Sequence, residues 1–165
     1  MSLIELKFKN INLSNNKEPI VRVVINDNEL INETVKPRLV TPLSFYDDEI
    51  PEHNVLKIYF ANKENADTIL DENKNIIKDL NFELEQIIID GYDVKDLIWN
   101  SQYVTKTEKI QSCLFFGPKG YFEFEFDMPI LKWFLKTNHE KHNNDPNWEE
   151  DYNYYTEAWK LLSQI

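Results

Sequence analysis

Residues 79–91 read DLNFELEQIIIDG, a run whose alternation changes phase halfway along. Leu80, Phe82 and Leu84 face one way, with Asn81, Glu83 and Glu85 between them. Ile87, Ile88 and Ile89 then follow without a polar partner, and Asp90-Gly91 closes the run with a turn dipeptide. A strand covered on one face alternates, whereas a stretch covered on both reads as continuously apolar. The reading therefore predicts that Ile87 to Ile89 passes under the C-terminal segment or against a neighbouring subunit. A bulge near Glu85-Gln86 is the alternative, because one extra residue restores the phase without a second cover. The two accounts differ at Ile88, which only the first buries.

Alternation extends outward from this run in both directions. Ile4, Leu6 and Phe8 alternate with Glu5, Lys7 and Lys9; Val21, Val23 and Ile25 begin a second strand. Leu56, Ile58 and Phe60 share one face of another, and Phe122, Phe124 and Phe126 alternate with Glu123, Glu125 and Asp127. Ile110 to Phe116 reads as one strand. Asn15-Asn16, Asn26-Asp27-Asn28 and Pro118-Lys119-Gly120 are turn signals, while Pro37, Pro42 and Pro51 restrict residues 36–52 to short or edge strands. Val94 to Trp99 is a short helical or extended piece. Many strands without intervening helices predict a mainly β chain, an antiparallel jelly-roll or C2-like β-sandwich over residues 1–128.

After Pro129 the pattern changes. Ile130 to Leu135 predicts a short helix, and Asp145-Pro146 an N-cap with proline at the first helical position. Trp148, Tyr152, Tyr155, Trp159 and Leu162 then fall on one helical stripe. Residues 129–165 are thus expected as one or two C-terminal helices, packed on the sandwich or on a partner, within one domain overall.

Composition excludes several functions. Three glycines in 165 residues cannot supply the phosphate-cradling loops of nucleotide-binding folds. A net charge of −11 repels a phosphate backbone, so nucleic acid is not an expected partner. No stretch has the length of a membrane span, and MSLIELKFKN lacks the apolar core of a signal peptide. Cys113 is the single cysteine, which rules out an intramolecular disulfide and reads as a buried inert thiol. Lys and Asn dominate, and Arg22 and Arg38 are the two arginines, a bias that suits an A/T-rich genome. The three histidines, His53, His139 and His142, form no nucleophile arrangement, and His139 and His142 lack metalloprotease spacing. A non-enzymatic protein is expected.

Candidate contacts remain. Asn62, Asp67, Asp71 and Asp79 carry the hard oxygens that calcium takes. Asp71 to Asn75 copies the first half of an EF-hand loop, but Ile76 stands where glycine is needed and Phe82 where glutamate is needed. Trp99 and Tyr103, in a loop-like stretch, are candidate sugar contacts. Trp148, Tyr152, Tyr155 and Trp159 are candidate partner anchors.

Two resemblances follow from these residues. Phe60 and Asn62, then Asp79, Asn81, Leu84, Glu85, Ile87, Ile89, Asp90 and Gly91, match the pattern of calcium-dependent xylan-binding carbohydrate-binding modules. Lys63 stands where those modules carry an acid, and the loop here is longer. This likeness implies a jelly-roll sandwich, calcium held by Asp67, Asp71 and Asp79 with Asn62, and a cell-surface glycan as partner. Residues 53–134 more loosely resemble virion proteins of tailed phages, in the Ile-x-Ile-Asp-Gly strand end and the Gly-x-Phe-Glu-Phe-Glu-Phe run. That likeness implies a structural protein of capsid decoration, neck or tail. It would be made in the host cytoplasm, reside in the virion, and contact itself or other virion proteins. No cofactor would be required. The phage reading is the expected function, with the calcium-dependent module as its alternative.

Overall fold

The computed structural model describes residues 2–43, 50–141, 148–162 and 164. Four longer strands open the chain: β1 (Leu3–Asn12), β2 (Ile20–Ile25), β3 (Asn28–Thr34) and β4 (Arg38–Pro42). β5 (His53–Phe60) leads into a single 3-10 turn at Asn65–Asp67 and a small hairpin of β6 (Ile69–Leu70) and β7 (Ile76–Lys78). β8 (Asn81–Ile89) and β9 (Tyr92–Asp93) follow, then a kinked 3-10 segment at Lys95–Asn100. The strands end with β10 (Gln102–Thr105), β11 (Lys109–Gln111), β12 (Phe115–Phe116) and β13 (Gly120–Asp127). α1 (Ile130–Lys141) and α2 (Trp148–Leu162) complete the chain.

The tight turns sit where the dipeptides placed them. Asn15 and Asn16, Asn26 and Asp27, and Asp90 and Gly91 all have positive φ. That backbone matches the twist of a two-residue hairpin, and Asn, Asp and Gly adopt it at least cost.

The described strands form two large antiparallel sheets and the small β6–β7 hairpin. One large sheet runs β12-β8-β1-β4 with β9 beside β8; the other runs β11-β10-β13-β5-β2-β3. Their inner faces meet in one apolar core, and the molecule is an antiparallel β-sandwich. Phe82 of the first sheet joins both layers: its ring lies 5.0 Å edge-on to Phe60 of the second, 5.5 Å from Phe8, and stacked at 4.5 Å on Phe116. Aromatic pairs at such separations add about 0.5–1.5 kcal/mol each beyond their buried area.

The phase change in β8 is a bulge. Lys7 pairs with Gln86 but Phe8 pairs with Leu84, which leaves Glu85 as the extra residue. Phe82, Leu84, Ile87 and Ile89 are buried as a result, while Ile88 is only half-buried. The double-cover account is overturned. Glu85 shifts the following side chains by one pleat, so Ile87 and Ile89 rejoin the core face.

The expected strand Ile110 to Phe116 is two strands in opposite sheets. β11 pairs with β10, and β12 pairs with β8. Between them Ser112 has φ of 52°, and its backbone N–H donates to the Ser101 carbonyl. The apolar run is continuous because it supplies both layers while crossing between them. Cys113 lies on this crossing and is half-buried.

α1 extends to Lys141, beyond the expected Leu135, and closes one end of the sandwich. Trp133 packs edge-on against Phe124 at 5.7 Å and Phe126 at 6.5 Å. α2 packs mainly on α1. The Asp145-Pro146 cap and His142 lie outside the described residues. No helix among the described residues is long and apolar enough to cross a membrane.

Candidate functional site

The polar stretch between β5 and β8 builds a charged cluster at one end of the sandwich. Asn62 holds its base: its side-chain carbonyl accepts the Ile20 N–H at 2.8 Å, and its amide donates to the Glu18 carbonyl at 2.8 Å. Lys63 then turns inward and is only 5% exposed. Its ammonium donates to the Asp79 carboxylate and, at 2.8 Å, to the Leu80 carbonyl. Asp79 also accepts Thr68 Oγ1 at 2.6 Å and Asn81 Nδ2 at 3.1 Å. Asp67, 4% exposed, accepts the Lys17 ammonium at 2.9 Å and the Glu64 N–H at 2.8 Å.

Both carboxyls are held in the charged form. Burial pushes Asp67 upward, but the Lys17 hydrogen bond, the Glu64 N–H and the charges of Lys17 and Lys63 outweigh it, leaving its pKa below the ordinary value. Burial likewise opposes ionisation of Asp79, and the bonds from Lys63, Thr68 and Asn81 with the Lys63 charge override it. The Asp67 hydrogen bond raises the Lys17 pKa in return. A buried carboxylate must be paired or lose its charge, and here two lysines do the pairing.

Asp71 stands apart from this cluster, at the tip of the β6–β7 hairpin. Its Oδ1 accepts the N–H groups of Asn73 and Asn75, each at 2.8 Å, and its Oδ2 accepts Asn75 Nδ2 at 3.1 Å. These bonds hold its carboxyl below the usual range, the Asn75 side chain contributing most. The half EF-hand pattern is therefore a hairpin turn, with Lys74 at φ of 65°. Of the four residues expected as calcium ligands, Asp67 and Asp79 sit in the lysine-paired cluster, Asn62 pins the loop base, and Asp71 caps a turn. Among the described residues, no group of three or more His, Cys, Asp or Glu side chains could hold a metal ion.

Of the aromatic candidates, Tyr103 belongs to the core and is not a surface contact. It has no accessible surface, packs edge-on to Phe116 at 5.1 Å, and donates its hydroxyl to the Pro118 carbonyl at 2.6 Å. Burial raises its pKa. Its position in β10, between β11 and β13, points it inward where the sequence suggested a loop. Trp99 is exposed, and its carbonyl is held by Gln111 and Ser112. On α2, Tyr152 is half-buried and Tyr155 is exposed, and both line a groove of about 680 Å³ with Tyr92, Phe134 and Leu135. The side chains of Trp148 and Trp159 lie outside the described residues.

The sequence marked Lys63 without giving it a partner, and gave Lys17 no role at all. Lys63 was legible as a departure from the acid of the carbohydrate-binding pattern, because an ammonium there supplies the charge a metal would bring. Lys17 gave no signal, since its partner lies 50 residues away. The chain matches no known protein family, and no curated protein or solved structure matches it.

Proposed function

We propose that the chain is a non-enzymatic structural protein of a tailed-phage virion, in the capsid decoration, neck or tail. It works by binding copies of itself and other particle proteins. One observation carries the docking part: among the described residues, seven of the twelve large exposed apolar side chains lie on two elements, the β6–β7 hairpin and the C-terminal helix. The β6–β7 hairpin presents Leu70, Ile76 and Ile77, the last two 64% and 62% exposed. The C-terminal helix presents Tyr154, Tyr155, Leu161 and Leu162, with Tyr154 at 70%.

Burying such side chains is worth about 1.5–3 kcal/mol each, so leaving them in water on a free monomer forfeits that stabilisation. The short, open strands of the hairpin also leave backbone groups that a partner strand can pair. The phage context rests on the likeness of residues 53–134 to virion proteins and on the Lys- and Asn-rich composition.

Sedimentation of the full chain over a wide concentration range tests this. Association is expected to strengthen with concentration and with co-expression of the products of the flanking genes. It should weaken when Ile76 and Ile77 are both changed to Ser, or Leu161 and Leu162 to Ser. A strict monomer that ignores those products would end the proposal.

A further inference from the structure

The outer face of the six-stranded sheet carries a feature separate from the β6–β7 hairpin, the C-terminal helix and the lysine-paired cluster. Register places Arg22 of β2 beside Tyr59 of β5, and Tyr59 beside Tyr121 of β13. Their strand neighbours Val21, Val23, Ile58, Phe60 and Phe122 are buried, so this row faces away from the core. The two phenol rings lie 5.0 Å apart at 36°. The Arg22 guanidinium sits 4.4 Å from the Tyr59 ring centre. A cleft of about 970 Å³ opens over this row, walled by residues 104–108 and by Pro118, Lys119 and Gly120.

Its charge runs against the rest of the molecule. The chain has 29 acids and 18 bases, yet Arg22, Lys106 and Lys119 line this cleft against a single acid, Glu108. Lys106 and Lys119 are exposed and have no ion-pair partner among the described residues. Arg22 has one distant partner, Glu29 at 3.9 Å. The contact with the Tyr59 ring restrains the guanidinium, and a restrained fork binds a carboxylate at lower entropic cost than a free side chain does. Lys57, 5.7 Å from the Tyr121 ring, pairs with Glu123 and does not line the cleft.

We propose that this cleft binds an acidic saccharide, a glycan bearing uronic or sialic acid. A pyranose has an apolar C–H face that lies on an aromatic ring, with hydroxyls around its edge. Tyr121 offers the ring, Asn65 and Thr107 offer polar groups at the rim, and Arg22 with Lys106 and Lys119 takes the carboxylate. A nucleobase also stacks on tyrosine, but a polynucleotide carries a charge at every phosphate and meets a protein of net charge −11. A short acidic glycan presents only a few charges to this basic recess. No calcium enters this mode of binding.

Calorimetry and ring-proton NMR of the full chain with a galacturonate trimer, its neutral galactose counterpart, and sialyllactose against lactose provide the test. Each acidic probe is expected to bind at least ~10-fold more tightly than its neutral counterpart, with shifts at Tyr59 and Tyr121 and no effect of EDTA. Tyr121→Ala should abolish binding of both members of each pair. The double variant Lys106→Gln/Lys119→Gln changes only exposed side chains, and should erase the preference while leaving neutral binding intact. The proposal falls if no probe shifts the two rings at about 10 mM, a concentration that reveals even weak contacts. It also falls if the lysine variant keeps the full preference, or if an oligothymidylate binds more tightly than the trimer. The Ile76/Ile77 and Leu161/Leu162 variants should leave sugar binding unchanged, which separates this site from self-association.

Discussion

The Lys63 ammonium donates a hydrogen bond to the Asp79 carboxylate from a side chain that is almost wholly buried, and the half-buried Lys17 donates to Asp67. The acidic loop thus carries its own counter-cations. Two loops and the start of β8 are joined through charge, and each carboxylate is also held by a hydrogen bond from its own loop.

Removing one partner of such a pair leaves the other buried and uncompensated. Lys63→Met is expected to destabilise the chain by about 3–5 kcal/mol. The double variant Lys63→Met/Asp79→Leu should recover much of that loss, because no lone charge remains. Urea unfolding of the wild type, both single variants and the double variant measures the coupling directly. Additive losses would show that the pair is not coupled.

Calcium should leave the melting temperature unchanged, as should EDTA. A ligand stabilises only what it binds in the folded state, and the Asp67 and Asp79 carboxylates already hold ammonium groups. Lys17→Gln combined with Lys63→Gln frees both carboxylates and is the background in which calcium could act. A calcium-dependent rise in the wild type would contradict the pairing as the loop's charge balance.

Acid should weaken the fold through the same residues. Asp67 and Asp79 have folded pKa values below their ordinary ones, so their contribution is complete above the unfolded carboxyl value of about 4. It is lost as pH falls through the depressed folded values, where the folded state must also take up protons. Lys63→Met removes the main cation beside Asp79, so the gap between variant and wild type should narrow from about pH 7 to pH 3. Melting temperatures across that range are the readout, and a gap of constant size would refute the assignment.

The bulge at Glu85 predicts opposite fates for adjacent isoleucines. Ile87→Ala should cost about 2–5 kcal/mol because it opens the core, whereas Ile88→Ala should cost less than about 1 kcal/mol. Deleting Glu85 should cost less than Ile87→Ala, since it removes the extra residue and leaves Leu84, Ile87 and Ile89 facing the core in one unbroken alternation. Chemical denaturation of the three variants ranks them.

The strand class, the turns and the slip in β8 were legible in the sequence because each is a local matter, although the slip by itself points first to a second cover and only second to the bulge it is. Period-two alternation marks which face of a strand is covered, and a single extra residue leaves its mark as a slip in that alternation. The pairs Asn15-Asn16, Asn26-Asp27 and Asp90-Gly91 announce positive φ for steric reasons that need no tertiary context. Partnership between distant segments leaves no such mark. Only the fold decided that Ile110 to Phe116 serves two sheets, that Tyr103 points inward, and that Lys17 and Lys63 neutralise the acids of the loop. It alone set Arg22, Tyr59 and Tyr121 in one row, because their strands are neighbours in the sheet and far apart in the chain. Side-chain periodicity is a property of one strand, whereas charge pairing and surface clustering are properties of how strands are stacked.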